Sequence, residues 1–545
     1  MKNLWQALMM VRRCDRWSFW RRVLYVLLQS VLPLVNLYLL KLLIDAVGAG
    51  VSGTAEATAF LPYLLAMTAV FLINRVIAAL DRVNSDVLTQ RLTDYMSDIM
   101  QRQAARLDLA YYDTPSYHDT FHRAQQEAGA RPVLILNNFM AMGGSLVSIL
   151  GVTAMLVSAS WWVVVVMVVA VLPSFFVRMN KAQSIYRFRR NNTQLYRRTA
   201  YYAHLLTSRE AAKEMRIYRL APHFRRLFVE ARARLVGRLL SISRRIGVAD
   251  MLCAVVEAVA MLAIVWLLAR QAFLGAITIG SFVMLFEAFR RGQGYLTALV
   301  SGVAGLYDNR LFVGNLFEFL QLQPDILPPT DPLPVPEHIE TLELRDVTFR
   351  YPDMQRDVLS HFNLTARVGE VTRLEGENGY GKSTVIKLLL RLYDPQEGAV
   401  LLNGIDIRHF RPDELRHRMG VLFQDFMRFN CTAGENIAFG DIDNITPMGS
   451  TDGPTRAAAL SGADKVVDRL PEGYATQLGR MFDGGQELSM GQWQRLALAR
   501  ALQGDAPVLL LDEPMAWIDV AAREEFYRAV DTLKNDKIII MITHA

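Results

Sequence analysis

Cysteine is scarce: Cys14, Cys253 and Cys431 stand far apart in 545 residues, with no CxxC pair and no histidine cluster nearby. That spacing argues against a disulfide framework and against a zinc site, and leaves three reduced thiols in a cytosol-facing or membrane chain. Charge is thin as well, at 21% against 52% hydrophobic residues, with a mean hydropathy of +0.18. A disordered chain has the opposite balance. A secretory signal is missing, because Arg12, Arg13, Arg16, Arg21 and Arg22 precede an apolar run too long for one and without a clear cleavage site. Proline and glycine are absent from Asp81–Leu109 and from Asn180–Leu206, which favours uninterrupted helix there. The length itself exceeds one compact domain, which tops out at about 250–300 residues.

The net charge of +6 conceals two unlike halves. Residues 1–330 hold 36 Lys+Arg against 20 Asp+Glu, whereas residues 331–545 hold 23 against 33. A membrane helix needs roughly 20 mostly apolar residues. Six stretches qualify, at about 22–44, 59–80, 133–157, 161–178, 247–270 and 277–300. The segments 45–58, 158–160 and 271–276 contain no Lys or Arg, while the N-terminus, 81–132 and 179–246 are rich in Arg. By the positive-inside rule both termini then face the cytosol. The two long cytosolic segments read as helices extending tens of Ångström below the bilayer at about 1.5 Å per residue. The Tyr112–Tyr117 stretch interrupts the first, and Thr207–Glu214 turns the second. Prolines 324, 328, 329, 332, 334 and 336 mark a stiff linker. The expected domains are therefore 1–323 in the membrane, a 324–338 linker, and 339–545.

The second half carries phosphate chemistry. Gly376-Glu377-Asn378-Gly379-Tyr380-Gly381-Lys382-Ser383 fits GxxxxGK[ST], between a strand-like Glu370–Leu374 and a helix-like Thr384–Leu392. Such glycines let backbone N–H groups turn inward around phosphate oxygens at a helix N-terminus. Lys382 suits the β/γ-phosphates and the Ser383 hydroxyl suits Mg²⁺. The apolar run Val508–Leu511 ends in Asp512 and Glu513, the pattern of a buried parallel strand closing on two carboxylates. Asp512 suits the second Mg²⁺ contact, and Glu513 is the candidate that polarises an attacking water.

Leu488-Ser489-Met490-Gly491-Gln492, followed by Trp493-Gln494-Arg495, resembles the signature of ATP-binding-cassette (ABC) proteins. Other family motifs stand in order around it. Tyr351 resembles the aromatic that stacks on adenine. Gln424, in Phe423-Gln424-Asp425, resembles the glutamine that senses Mg²⁺ and the γ-phosphate. Asp519 resembles the D-loop aspartate, and His544 the switch histidine on the γ-phosphate. A six-span helical domain with long cytosolic extensions, then an α/β P-loop ATPase domain, matches ABC exporter half-transporters. The resemblance implies ATP and Mg²⁺ as bound species. Gly376, Asn378, Gly379, Gly381, Lys382, Ser383 and Thr384 would hold the phosphates. Ser489, Gly491, Gln492 and Asp519 would close on the nucleotide from a second cassette. Ser383, Gln424 and Asp512 would address the metal, and Glu513, His544 and Gln424 the hydrolysis.

The same resemblance implies a dimer, a second copy of this chain or else a heterodimer, in a bacterial inner membrane. Thr114–Arg123 and Thr207–Arg216 resemble the coupling helices that carry cassette closure to the spans. Three departures stand out: Met490 replaces a glycine of the signature, Tyr380 fills a small-residue position, and the chain ends one residue after His544 where the family continues. A chain shortened at that end is one reading of the last.

Within the spans, Glu287 stands at i,i+3 and i,i+4 to Arg290 and Arg291, either as an intrahelical pair or as a cargo contact. Glu257, Gln29, Asn36 and Asn74-Arg75 are further polar candidates. Mixed charge in an apolar path suits a small amphipathic or peptide-like cargo. A lipid or lipid-linked glycan, and a non-transporting ATPase that regulates a partner, are the alternatives. The spans set aside a soluble cassette protein such as a DNA-repair ATPase, and no nucleic-acid partner is expected.

Overall fold

The computed structural model describes residues 2–51, 56, 58–114, 121, 131–158, 161–352, 354–377, 379–444, 454–518 and 520–543. The chain divides into two compact units. One comprises 1–105 with 119–322, and the other 106–118 with 323–545.

The first unit is helical. After α1 (Lys2–Cys14), long helices follow: α2 (Arg16–Val51), α3 (Leu61–Arg106), α5 (Arg131–Val157), α6 (Trp161–Asn191), α9 (Ala221–Phe273) and α10 (Ile279–Leu320). Between α6 and α9 lie α7 (Thr193–Thr207) and α8 (Ala212–Ile217). Among the described residues, five helices are long and apolar enough to cross a membrane: α2, α3, α5, α6 and α9. The sixth expected span falls in α10, whose apolar stretch is diluted by Glu287, Arg290 and Arg291. Their outer faces carry exposed Leu27, Val31, Val169, Leu252, Val259 and Leu262, as lipid contact requires. Inside, Leu37, Val152, Leu156, Met167, Leu268 and Phe289 form a closed core.

Two boundaries differ from the sequence expectation. The helix expected to give way to a loop at residue 45 continues through Val51, carried on by Ala46, Val47, Ala49 and Val51. The uninterrupted helix expected over Asn180–Leu206 breaks at Asn192, whose backbone sits at φ −113°, ψ 17°. Its side chain explains the interruption: Nδ2 donates to the Phe188 carbonyl at 2.8 Å, and Oδ1 accepts from Arg238 at 3.0 Å. The candidate coupling segment Thr207–Arg216 is a turn leading into α8. Most of Thr114–Arg123 lies outside the described residues.

Buried polar groups tie the spans together. Ser174 on α6 donates to Glu257 on α9 at 2.8 Å, which gives that in-span carboxylate its partner in a neighbouring helix. Asp45, near the end of α2, accepts the Gly280 N–H at 3.0 Å and the Thr278 hydroxyl at 3.1 Å, capping α10 from outside.

The second unit contains two sheets. An antiparallel sheet runs β2-β1-β4-β5, from β1 (Thr341–Phe349), β2 (Leu359–Arg367), β4 (Glu397–Leu402) and β5 (Ile405–Asp406). A parallel sheet runs β3-β8-β7-β6, from β3 (Val371–Leu374), β6 (Met419–Leu422), β7 (Val508–Asp512) and β8 (Ile538–Ile542). Every residue of β7 and β8 is buried, which explains their unbroken apolar runs. Each large side chain so buried is worth roughly 1.5–3 kcal/mol. The helices of this unit used below are α11 (Lys382–Leu389), α12 (Met490–Gln503) and α13 (Val520–Leu533).

Residues 106–118, expected within the membrane domain, belong with this second unit. Their helix α4 (Leu109–Asp113) packs Leu109 and Ala110 against the cassette core. Asp108 accepts the N–H groups of Asp325 and Ile326, Tyr111 donates to the Gln323 carbonyl at 2.9 Å, and Asp113 accepts from Tyr393. Burial, reinforced by Asp113, raises the Tyr393 phenol and keeps it a donor.

A Cβ at Gly280 would come within 2.4 Å of the Lys41 carbonyl and of Asp45, whereas Gly294 faces open space. Gly280→Leu is therefore expected to destabilise the helical unit by about 1–3 kcal/mol. Gly294→Ala should hold or gain up to about 1 kcal/mol. Thermal unfolding of the full chain in detergent, followed by helical signal, checks both.

Candidate functional site

Parallel register brings the functional residues together. Leu374 pairs with Ile542, Ile542 with Asp512, and Leu511 with Leu422, so β3, β8, β7 and β6 end at one level. Ligands of open α/β sheets bind in the crevice beyond such carboxyl ends. The glycine-rich loop leaves β3, Gln424 lies two residues past β6, Glu513 directly follows β7, and Thr543 follows β8.

In the loop, Gly381 sits at φ +81° as the residue before α11. A Cβ there would lie 2.9 Å from Leu359 and 3.0 Å from Val358, so the loop can press against β2 only with glycine. Gly376 and Gly379 also take positive φ, whereas Asn378 lies outside the described residues. Lys382 opens α11 and donates to the Gly376 carbonyl, curling over the loop. The Ser383 hydroxyl bonds the Asp512 carboxyl. Thr384 is buried and its hydroxyl lies 3.0 Å from the Tyr351 hydroxyl. Tyr351 is half-buried, edge-on to Phe349 and Tyr393, with the Lys387 ammonium 5.2 Å from its ring centre. Tyr380 points outward, 69% exposed.

Asp512 is 3% exposed, and burial is the main cause of its raised pKa, opposed by the Ser383 hydrogen bond. Glu513 holds a left-handed backbone, φ 48°, which is uncommon for a residue with a Cβ. Such strain costs on the order of 1–3 kcal/mol and persists only where the surroundings enforce it. Three hydrogen bonds do so here. Its N–H donates to the Ile542 carbonyl at 3.1 Å, its carbonyl accepts from Gln494 at 2.9 Å, and its Oε1 accepts from Gln424 at 2.9 Å.

Gln494, which stands in the signature run but carries no role by motif, has one in the fold. It is 2% exposed on α12, and it also accepts the Trp517 N–H at 3.1 Å through Oε1. An amide among Trp493, Leu496 and Ala497 was the available signal, since a buried polar side chain must find partners.

The signature forms the start of α12. Ser489 caps it, accepting the Gln492 N–H at 3.3 Å, while Gln492 returns a bond to the Ser489 N–H at 2.8 Å. Gly491 lies so close to the Trp517 carbonyl that a Cβ would approach within 2.4 Å. Met490, by contrast, lacks positive φ and is 39% exposed, so its side chain projects outward without disturbing the cap. The glycine that close packing demands is retained. Asp519 and His544 lie outside the described residues.

The raised Asp512 pKa has a sign that can be measured. The folded chain binds this proton at higher pH than the unfolded chain, so stability falls as pH rises from the ordinary carboxylate range through the raised value. Asp512→Asn, which retains an acceptor for Ser383, should remove that slope and stabilise the nucleotide-free protein at neutral pH. Unfolding midpoints of both proteins across pH check this.

Residues 359–516 match the ABC transporter family. The subtilin transport ATP-binding protein of Bacillus subtilis is 26% identical over 100% of this chain and 88% of its own length. The nisin transport ATP-binding protein of Lactococcus lactis subsp. lactis is 24% identical over 95% of this chain and 85% of its own. A bacterial Atm1-family ABC exporter solved with ATP bound shares the fold, with a TM-score of 0.82, 20% identity, and coverage of 96% of this chain and 91% of that one. A spanning helical unit joined to a P-loop cassette, matched along almost its entire length by proteins of one kind, places this chain among the ABC transporters as an exporter-type half-transporter whose cassette hydrolyses ATP.

Proposed function

We propose that the chain exports a small amphipathic, peptide-like cargo from the cytosol, driven by ATP, as a dimer in a bacterial inner membrane with both termini cytosolic. The observation that carries the engine is the convergence of the P-loop, Gln424, Asp512 and Glu513 on one end of the parallel sheet. The peptide-like cargo is supported by the two relatives named for subtilin and nisin transport. The dimer is supported by α3, whose most apolar membrane stretch has no residue buried within the chain. A second copy is what would cover it.

In this reading Gly376, Asn378, Gly379, Gly381, Lys382, Ser383 and Thr384 hold the phosphates, and Tyr351 meets the adenine. The Ser383 hydroxyl and Asp512 carboxylate, already bonded to one another, form a hard-oxygen pair suited to Mg²⁺, with Gln424 beside it. Bound there, Mg²⁺ neutralises charge on the β- and γ-phosphates. Glu513 orients and deprotonates the attacking water, its carboxylate aimed by Gln424 and its backbone fixed by Gln494. His544 meets the γ-phosphate, and Ser489, Gly491, Gln492 and Asp519 close from the partner cassette. A helix N-terminus with a satisfied cap, as at Ser489, favours an anion in front of it. Closure then opens the membrane path outward, and hydrolysis resets it.

The test is peptide uptake into inside-out proteoliposomes containing the purified full chain. ATP-dependent accumulation of a labelled apolar peptide is expected. ATP hydrolysis without movement of any peptide, or accelerated lipid translocation in its place, contradicts the cargo reading.

Gln494→Leu leaves the Glu513 carbonyl and the Trp517 N–H unpaired and displaces the base. Turnover should fall about 100-fold, the loss that misplacement by about 1 Å produces. ATP affinity, measured by nucleotide fluorescence, should stay within about threefold, below 1 kcal/mol.

A further inference from the structure

A cleft of about 180 Å³ lies within the membrane unit, between α2, α3 and α10. It is lined by Pro33 and Asn36 of α2, Val70, Phe71 and Asn74 of α3, and Arg291 of α10. Asn36 is 14 residues past Arg22 on the same helix, about 21 Å along it at 1.5 Å per residue, and so lies inside the hydrocarbon layer.

The polar groups of this cleft are incompletely matched. Oδ1 of Asn36 and Oδ1 of Asn74 are both buried without a hydrogen-bond partner. Arg291 makes two long contacts, 3.5 Å to the Pro33 carbonyl and 3.6 Å to Glu287. Both exceed the 2.7–3.2 Å of a well-formed N–H···O bond. Glu287 is already engaged by Arg290, through bonds of 3.1 and 2.8 Å. Glu287 therefore pairs closely with Arg290 and more loosely with Arg291, which keeps guanidinium donors to spare. Arg75, stacked 5.2 Å from the Phe71 ring centre, adds further positive charge at the apolar wall.

Unmatched polar atoms at this depth have no bulk water to satisfy them, and leaving them unpaired is costly. A ligand relieves that cost if it offers one anionic acceptor to Arg291 and one N–H donor to the asparagine oxygens. It must also carry an apolar group for Val70 and Phe71. The last residue of a peptide has these three parts: a carboxylate, its own backbone N–H, and a side chain. At liquid-water packing, about 30 Å³ per molecule, the cleft holds roughly six waters, which suits one terminal residue and not a whole peptide.

We propose that this cleft is the subsite that receives the C-terminal carboxylate and adjoining N–H of an apolar peptide cargo. The assignment rests on the peptide-export reading above, and the test separates the two.

The probe is a fluorescent apolar hexapeptide, as free acid and as C-terminal amide. Its binding is followed by anisotropy with the full chain in detergent, and its uptake in phosphatidylcholine proteoliposomes. The acid is expected to bind at least tenfold more tightly than the amide. Arg291→Gln should abolish that preference, and Arg291→Lys should restore part of it. Asn74→Leu should weaken the acid several-fold, and Val70→Trp, which fills the cleft without touching its charge, should block it. Basal ATP turnover should stay within twofold in all four variants. Equal binding of acid and amide by the parent protein overturns the subsite, and so does an acid preference that survives both Arg291→Gln and Val70→Trp. Loss of the acid preference when phosphatidylglycerol replaces phosphatidylcholine places a net-anionic lipid headgroup in the cleft and also overturns it. Acid-selective binding with no uptake during active hydrolysis retains the subsite and removes the export reading. Uptake of acid and amide alike does the reverse.

Discussion

The parallel pairing of β7 between β6 and β8 is the constraint on which the cassette depends. It fixes Asp512 opposite Ile542 and sets the P-loop, Gln424 and Glu513 at one end of the sheet. Every residue of β7 and of its neighbour β8 is buried, so β7 is enclosed by apolar side chains on both faces of the sheet. A one-residue slip would turn Asp512 away from Ser383 and break the Glu513 N–H bond to Ile542. The strained backbone of Glu513 is held by that register on one side and by Gln494 of the signature helix on the other. Glu513 and the signature helix are thereby one mechanical piece, with Gln494 and the Gly491–Trp517 approach as its joints.

The membrane unit obeys the opposite economy of polar groups. Where the cassette pairs both ends of the buried Gln494 amide, the spans leave the Asn36 and Asn74 oxygens unmatched between α2, α3 and α10. Elsewhere in the unit the in-span charges are quieted locally, Glu257 by Ser174 and Glu287 by Arg290. The contrast matters because a protein that moves cargo must offer it something that the resting fold does not already consume. Helix α4 lies with the cassette although nearly all of α3 lies with the spans, so the chain changes unit after residue 105, again after 118 and a third time after 322.

Most of the engine was legible in the sequence because its motifs encode backbone geometry. Gly381 before a helix, a run of apolar residues ending in Asp512, and a serine three residues before Gln492 each demand one local structure. Five of the six expected spans were legible as long apolar helices, since length and apolar content suffice there, whereas the sixth is diluted by Glu287, Arg290 and Arg291. Gln494 was not legible, since its importance arises from two backbone groups distant in sequence. Nor was the cassette membership of residues 106–118, which follows from hydrogen bonds to Gln323, Asp325 and Tyr393 that no local pattern announces. The break at Asn192 was hidden because a polar residue in an otherwise helical run gives no sign of its Arg238 partner. Met490, which replaces a glycine of the signature, faces outward in the fold, an orientation the sequence does not announce.

The proposed cycle depends above all on Glu513 as the group that activates water. The direct measurement is the rate of γ-phosphate release from ATP by the full chain in lipid, wild type beside Glu513→Gln, with ATP affinity determined in parallel. A general base contributes about 10²–10⁴-fold. The account predicts a loss of that order with ATP binding retained. Release in Glu513→Gln within a few-fold of wild type would contradict it, and would place the base elsewhere.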